Sequence, residues 1–142
     1  ILKYFDTSVI LLPILKDPRR EKALKELGDG GITSELGLVE LVSYLSRNIN
    51  DDPIPYAIKL LKEYNITVKS ITNQKQTFLG EINNVMYFAI NIAKEVKLRT
   101  LDLLHLSYAV LLGVNEFVTA DKEFEKGLKF FSRNGVTLKM ID

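Results

Sequence analysis

The stretch Leu101-Asp102-Leu103-Leu104-His105-Leu106-Ser107-Tyr108-Ala109-Val110-Leu111-Leu112-Gly113-Val114-Asn115-Glu116-Phe117-Val118-Thr119-Ala120-Asp121 decides how the chain is read. Leu101–Leu112 is apolar on nearly every side and too long for a buried strand, which predicts a helix sunk between a sheet and other helices. Gly113 interrupts it, Glu116–Thr119 has strand character, and Asp121–Phe131 is expected to be helical.

Upstream the same alternation repeats. Ile1–Phe5 is apolar or β-prone and gives way at Asp6-Thr7-Ser8 to a helix N-cap pattern. Val9–Leu15 is apolar, Lys16-Asp17-Pro18 interrupts it, and Arg19–Leu27 resumes as a charged amphipathic helix that Gly28 ends. Ile32-Thr33-Ser34 is a short strand feeding a helix from Glu35 to about Arg47. Asn48–Pro55 reads as a linker and Tyr56–Tyr64 as a helix. Ile66-Thr67-Val68 and Ile71 bracket a third strand, and Phe78, Leu79, Ile82, Val85, Met86, Ala89, Ile90 and Ala93 follow helical spacing, which predicts the longest helix there. Val136–Ile141 closes the series as a strand. Strands alternating with helices imply crossover connections, hence an α/β, three-layer α/β/α fold with a central parallel sheet of about four to five strands.

The chain has 142 residues, 46% of them hydrophobic. That suits one domain over 1–142, since domains of this size bury roughly 70% of their unfolded surface. Lys+Arg (19) and Asp+Glu (18) nearly cancel, so any nucleic-acid contact must come from a local patch rather than a global field. The absence of Cys and the single His exclude a Cys/His zinc site and a disulfide framework. No run is long enough to span a membrane and the N-terminus lacks a signal layout, so a soluble, cytoplasmic protein is expected.

Four acids hold the chemistry. Ligands of an open parallel sheet sit beyond the carboxyl ends of its strands, and Asp6 and Asp121 both follow strands at that end. Asp102 lies in the first turn of the buried helix, which chain order puts at the far end of the sheet unless the chain folds back. Glu40 lies within the helix after the second strand and could reach back over the sheet edge. Singly, each has a plainer reading: Asp6 and Asp121 as N-caps, Asp102 as a first-turn acid favoured by the helix dipole, Glu40 as a solvent-facing glutamate sharing a face with Ser43 and Arg47. Together they form a set of hard oxygen donors suited to magnesium, which is held by a few carboxylates and waters. For Asp102 the plain reading is weakest, because the surrounding leucines would desolvate an acid without a partner.

Four blocks in this order resemble the PIN domain, and more narrowly the VapC-like toxins of toxin–antitoxin pairs: Tyr4-Phe5-Asp6-Thr7-Ser8; Ile32-Thr33-Ser34 leading to Glu40-Leu41; Leu101 through Ala109; and Phe117-Val118-Thr119-Ala120-Asp121 with Phe124. They span almost the whole chain. The resemblance implies a parallel sheet flanked by helices, a chain that folds back to bring Asp102 to the site, and cleavage of single-stranded RNA with magnesium or manganese. It implies Asp6, Asp102 and Asp121 as metal ligands, Glu40 as a further catalytic acid, and Ser8 and Thr119 as polar supports. It also implies a small antitoxin partner and a homodimer, with the Phe78–Ala93 helix as a candidate surface. Glu35 is the rival for the Glu40 role; Glu40 is preferred because Leu41-Val42 continues a hydrophobic helix directly after it.

Three neighbouring features receive plain readings. His105 shares the face of Asp102 one turn on and reads as a packed histidine. Lys16, Arg19, Arg20, Lys22 and Lys25, interleaved with Asp17, Glu21 and Glu26, read as a solvated helix face. Tyr56, Tyr64, Phe78, Tyr87 and Phe88 read as core or interface. A catalytically weak PIN-like module binding RNA or protein is the alternative function. A receiver-like phosphoacceptor domain is disfavoured because Val68-Lys69-Ser70-Ile71 offers no acceptor Asp.

Overall fold

A computed structural model describes all residues, 1–142. In chain order it contains β1 (Lys3–Phe5), α1 (Thr7–Leu11) with a 3-10 turn at Leu12–Ile14, α2 (Arg20–Leu27), β2 (Gly31–Ser34) and α3 (Glu35–Asn48). There follow α4 (Pro53–Glu63), β3 (Ile66–Lys69), β4 (Gln74–Thr77), β5 (Gly80–Asn83), α5 (Asn84–Val96), α6 (Thr100–Leu111) and β6 (Glu116–Thr119). A 3-10 segment at Lys122–Gly127, α7 (Leu128–Arg133) and β7 (Thr137–Met140) complete it.

Five strands form one sheet in the order β3-β2-β1-β6-β7, every pairing parallel. This is the expected three-layer arrangement. Side chains alternate across a strand, so Tyr4 and Phe117 enter one core with α5, α6 and α7, while Phe5 and Val118 enter the other with α1 to α4. The order reverses between β1 and β6, which makes the gap beyond their carboxyl ends the switch point of the sheet. No helix is long and apolar enough to cross a membrane.

α6 corrects one expectation from chain order. A helix joined to a following strand by only Leu112–Asn115 must run back alongside it, so its N-terminus, with Asp102, comes to the carboxyl end of β6 and not to the far end. Four other expectations on element boundaries give way. Phe78–Ala93 is not one helix: Gln74–Asn83 is an antiparallel hairpin whose Phe78-Leu79 turn leads into Gly80 at φ +116, and α5 begins only at Asn84, capped by Asn83 Oδ1 accepting from Val85 N at 2.8 Å. The longest helix is α3, with 14 residues. The linker reading ends early, because Asp52 caps α4 by accepting from Ile54 N at 3.1 Å and Pro53 takes the first helical position, where its missing N–H costs nothing. Asp121–Phe131 divides into a 3-10 segment and α7, and Ile71 lies beyond β3.

α3 starts against the sheet. Ser34 caps it by accepting from Gly37 N at 3.3 Å, and Gly37 lies so close over Thr33 that a Cβ there would collide with the threonine side chain. The bare backbone at Gly37 therefore sets how near Glu40, one turn on, comes to β1 and β6.

The amino end of the sheet carries an unforeseen feature. Lys3 is buried, with Nζ at 2.7 Å from Glu26 Oε2 and 2.6 Å from Asp29 Oδ2, and Lys139 reaches Glu26 Oε1 at 2.9 Å. Glu26 is thus a buried ion-pair partner and not part of a solvated face. Lys16, Arg20, Lys22 and Lys25 are exposed as expected, while Arg19 turns inward to donate to the Ala120 carbonyl at 3.1 Å. Among the aromatics, Phe78 is 99% exposed at the hairpin tip and Tyr87 is exposed on α5, so neither is core.

Candidate active site

Asp6 follows β1 in extended conformation, which continues the strand alternation and places its side chain on the Tyr4 side, facing α6. It occupies the N-cap position of α1 but makes no side-chain capping bond. Instead Oδ1 accepts from Ser8 Oγ at 2.6 Å and Oδ2 from Thr119 Oγ1 at 2.8 Å. Asp6 is buried, and burial pushes its carboxyl up to about 6; neighbouring His105 and the two hydroxyls offset that only in part, and Glu40 adds repulsion. Ser8 Oγ also accepts from Ala120 N at 3.0 Å, and Thr119 Oγ1 from Asp121 N at 3.0 Å, so both hydroxyls tie β1 to the end of β6.

Asp121 does cap: its Oδ1 accepts from Glu123 N at 3.0 Å. Asp102, half-buried in the first turn of α6, accepts no hydrogen bond from the protein. Its carboxyl is pushed up by burial first and then by the charge of Asp121, with Glu40 and Glu123 adding to it. Glu40 is half-buried and not solvent-facing: Oε1 accepts from Thr7 Oγ1 at 3.0 Å and is hydrogen-bonded by His105 Nε2, while Oε2 has no protein donor. Burial works against its ionisation, but His105 and Thr7 outweigh it and hold the carboxyl below the usual glutamate range. Glu35, the rival, is exposed at the start of α3, and its charge bears on Tyr108.

Four carboxylates from four separate segments therefore come to the switch point: the charge of Glu40 bears on both Asp6 and Asp102, and that of Asp121 on Asp102. Glu40 with Thr7, Ser8, Arg47 and Leu101 lines an open cleft of ≈ 390 Å³. No three of the acids close into a ready cage around one point. The donor set nonetheless fits magnesium or manganese, because such an ion needs only one or two carboxylates and keeps its waters, and Asp102 and the second oxygen of Asp121 have no protein donor.

Two of the groups that shape this site escape a reading by motif. His105 is packed, 2% exposed, yet it also contacts Glu40, and Tyr4, buried behind it, bonds His105 Nδ1 and Ser34 Oγ at 2.7 Å each. A His one turn after an acid on a buried helix was the only available signal.

The fold has solved counterparts. VapBC2 from Rickettsia felis, in complex with a fragment of promoter DNA, matches over 100% of both chains at TM-score 0.64 and 15% identity. A toxin–antitoxin complex from Klebsiella pneumoniae matches over 86% of this chain and 89% of its own at TM-score 0.63 and 16% identity. VapC20 of Mycobacterium tuberculosis, described as a toxin cleaving the sarcin-ricin loop, matches over 87% and 92% at TM-score 0.61 and 17% identity. Curated proteins give no match by sequence. The PIN domain model matches residues 3–127, carrying β1 through the 3-10 segment and all four acids, and the chain belongs to the PIN-domain family.

Proposed function

We propose that this protein is a divalent-metal-dependent endoribonuclease that hydrolyses phosphodiester bonds of single-stranded RNA, acting as the toxin of a toxin–antitoxin pair. The observation that carries it is the convergence of Asp6, Glu40, Asp102 and Asp121 at the switch point, with Asp6 and Asp102 pushed up by burial and by neighbouring carboxylates. Such a site gains from a bound cation.

Asp6, Asp102 and Asp121 would hold magnesium or manganese. When bound there, the ion supplies Lewis-acid activation of water and charge stabilisation at the phosphate. Ser8 and Thr119 keep both oxygens of Asp6 in place through one hydrogen bond each. Glu40, ionised and with Oε2 open, is the acceptor for the proton of the attacking water. Water oxygen bonds to phosphorus, the phosphorus–ester oxygen bond breaks, and no covalent intermediate with the protein forms. Arg47 at the cleft is a local cation for the RNA backbone.

The antitoxin partner is supported by the neighbours that are toxin–antitoxin complexes and by an apolar groove. Leu38, Val39, Val42, Ile54 and Ile58 line it, and Val39 and Ser43 are shared with the cleft that Glu40 lines, so one amphipathic segment could cover both. A homodimer is supported by exposed Met86, Tyr87 and Ile90 on α5 and by exposed Phe78 and Leu79 at the hairpin tip. Light scattering on wild type and Ile90→Asp tests it, the variant shifting to monomer.

Labelled single-stranded RNAs incubated with wild type and Asp6→Asn, with and without magnesium or manganese, test the activity. Metal-dependent cutting lost in the variant is expected. Failure of fresh, partner-free wild type to cut any RNA returns the binding-module reading.

A further inference from the structure

Behind the acids runs a buried hydrogen-bonded chain that the four-acid site does not use. Gly37 N donates to Ser34 Oγ, Ser34 Oγ lies 2.7 Å from Tyr4 Oη, Tyr4 Oη lies 2.7 Å from His105 Nδ1, and His105 Nε2 contacts Glu40 Oε1. Tyr4 and Ser34 are fully buried and His105 nearly so. The chain joins β1, β2, α3 and α6, and it begins and ends on α3, the helix that carries Glu40.

Its protons can be placed. Tyr4 Oη is the one acceptor within reach of the buried Ser34 hydroxyl, whose other contact, Gly37 N, is a donor, so the Ser34 proton goes to Tyr4 Oη and the Tyr4 proton to His105 Nδ1, which must then be the bare nitrogen. The remaining ring proton sits on Nε2 and is donated to Glu40. An imidazolium would reverse the Tyr4 hydroxyl and leave the buried Ser34 proton with no acceptor among its contacts, a loss of the kind that buried polar groups avoid. One arrangement thus satisfies every member.

We propose that His105 is a positioning residue for the nuclease reaction: held as its neutral Nε2–H tautomer by Tyr4 and Ser34, it pins Oε1 of Glu40 and leaves Oε2 as the one oxygen offered to the cleft. Thr7, donating to the same Oε1, holds it from the other side. The logic is that of an orienting group behind a general base, with the order of acid and imidazole exchanged. It rests on the nuclease reading for its consequence and on geometry alone for the tautomer.

His105 is the only histidine in the chain, so nitrogen-15 NMR of histidine-labelled protein reads it without overlap. At about pH 8, above the ordinary histidine range, the neutral Nε2–H tautomer is expected in wild type, and Tyr4→Phe is expected to move the Nδ1 resonance, which loses its hydrogen-bond donor, while Nε2 stays protonated against Glu40. An Nδ1–H tautomer in wild type, or an Nδ1 resonance left unmoved by Tyr4→Phe, overturns the assignment. In the cleavage assay His105→Leu should lower kcat by roughly 10- to 100-fold with KM for RNA unchanged. His105→Gln, whose amide can both accept from Tyr4 and donate to Glu40, should recover most of it. If His105→Leu fails to fold by thermal melting, Tyr4→Phe serves in its place, with the same kcat loss expected. Wild-type kcat in His105→Leu, or in Tyr4→Phe standing in for it, beside a dead Asp6→Asn removes the positioning role and leaves the nuclease standing. Absence of cutting by wild type itself removes the nuclease reading and the role together.

Discussion

Replacing Asp6 by Asn should make the metal-free protein more stable while destroying its site. The wild-type carboxylate is buried among like charges, and its pKa is pushed up from 3.8 to about 6. A shift of roughly two units corresponds to about 3 kcal/mol of native-state destabilisation wherever the group is forced to ionise. Asn removes the charge, but its amide nitrogen cannot accept from Ser8 or Thr119, and one lost hydrogen bond costs about 1 kcal/mol. The net gain is about 2 kcal/mol, or roughly 4–10 °C in melting temperature for a chain of this size.

The pH dependence follows from the same shift. Between the unfolded value near 4 and the folded value of about 6 the native state binds more protons than the unfolded one, so wild type loses stability as pH rises through that window. The advantage of Asp6→Asn should therefore be full near pH 8 and largely gone near pH 4. Calorimetry in chelator at the two pH values measures it. Added manganese at about 100 times its Kd should raise wild type by about 2.7 kcal/mol and leave the variant unmoved. A variant less stable than wild type at both pH values, or equal responses to manganese, refutes the account of Asp6 as a strained ligand.

Gly37→Ala should cost about 1–3 kcal/mol by driving a methyl into Thr33, and should depress cleavage because α3 lifts and carries Glu40 away; urea melts and kcat check both. Lys3→Met should destabilise by about 2 kcal/mol, less than for a fully isolated buried pair because Glu26 keeps Lys139, with cleavage unchanged since Lys3 lies at the amino end of the sheet; an altered kcat would contradict that separation. Asp102→Asn should abolish cleavage and lose the response of melting temperature to manganese, and retention of either speaks against its place as a ligand.

Much of the fold was legible because periodicity and burial coincide. Leu101–Leu112 announced a buried helix, and Phe117 and Val118 announced a central strand, since nothing but a covered sheet accommodates such runs. The hairpin was not legible. Phe78, Leu79 and Ile82 fall at helical spacing by coincidence, and only the single Gly80 marks a turn, while the strands Gln74–Thr77 and Gly80–Asn83 are polar enough to carry no alternation signal. Tertiary support from α5 holds them.

The acids were legible as a set and not as contacts. Asp6 and Asp121 share the capping position, yet only Asp121 caps; Asp6 abandons the helix because Thr119, beside it across the β1–β6 pairing, offers a hydroxyl from 113 residues away. Local propensity could not distinguish the two, since the competing partner is set by strand register. His105 shows the same limit more sharply. Reading it as packed was sound, for it is buried; but a packed imidazole must place two nitrogens, and once Tyr4 takes one the other is committed to whatever faces α6. In this chain the facing group is Glu40, so a residue that burial alone explains also decides which oxygen of that glutamate stays free for chemistry.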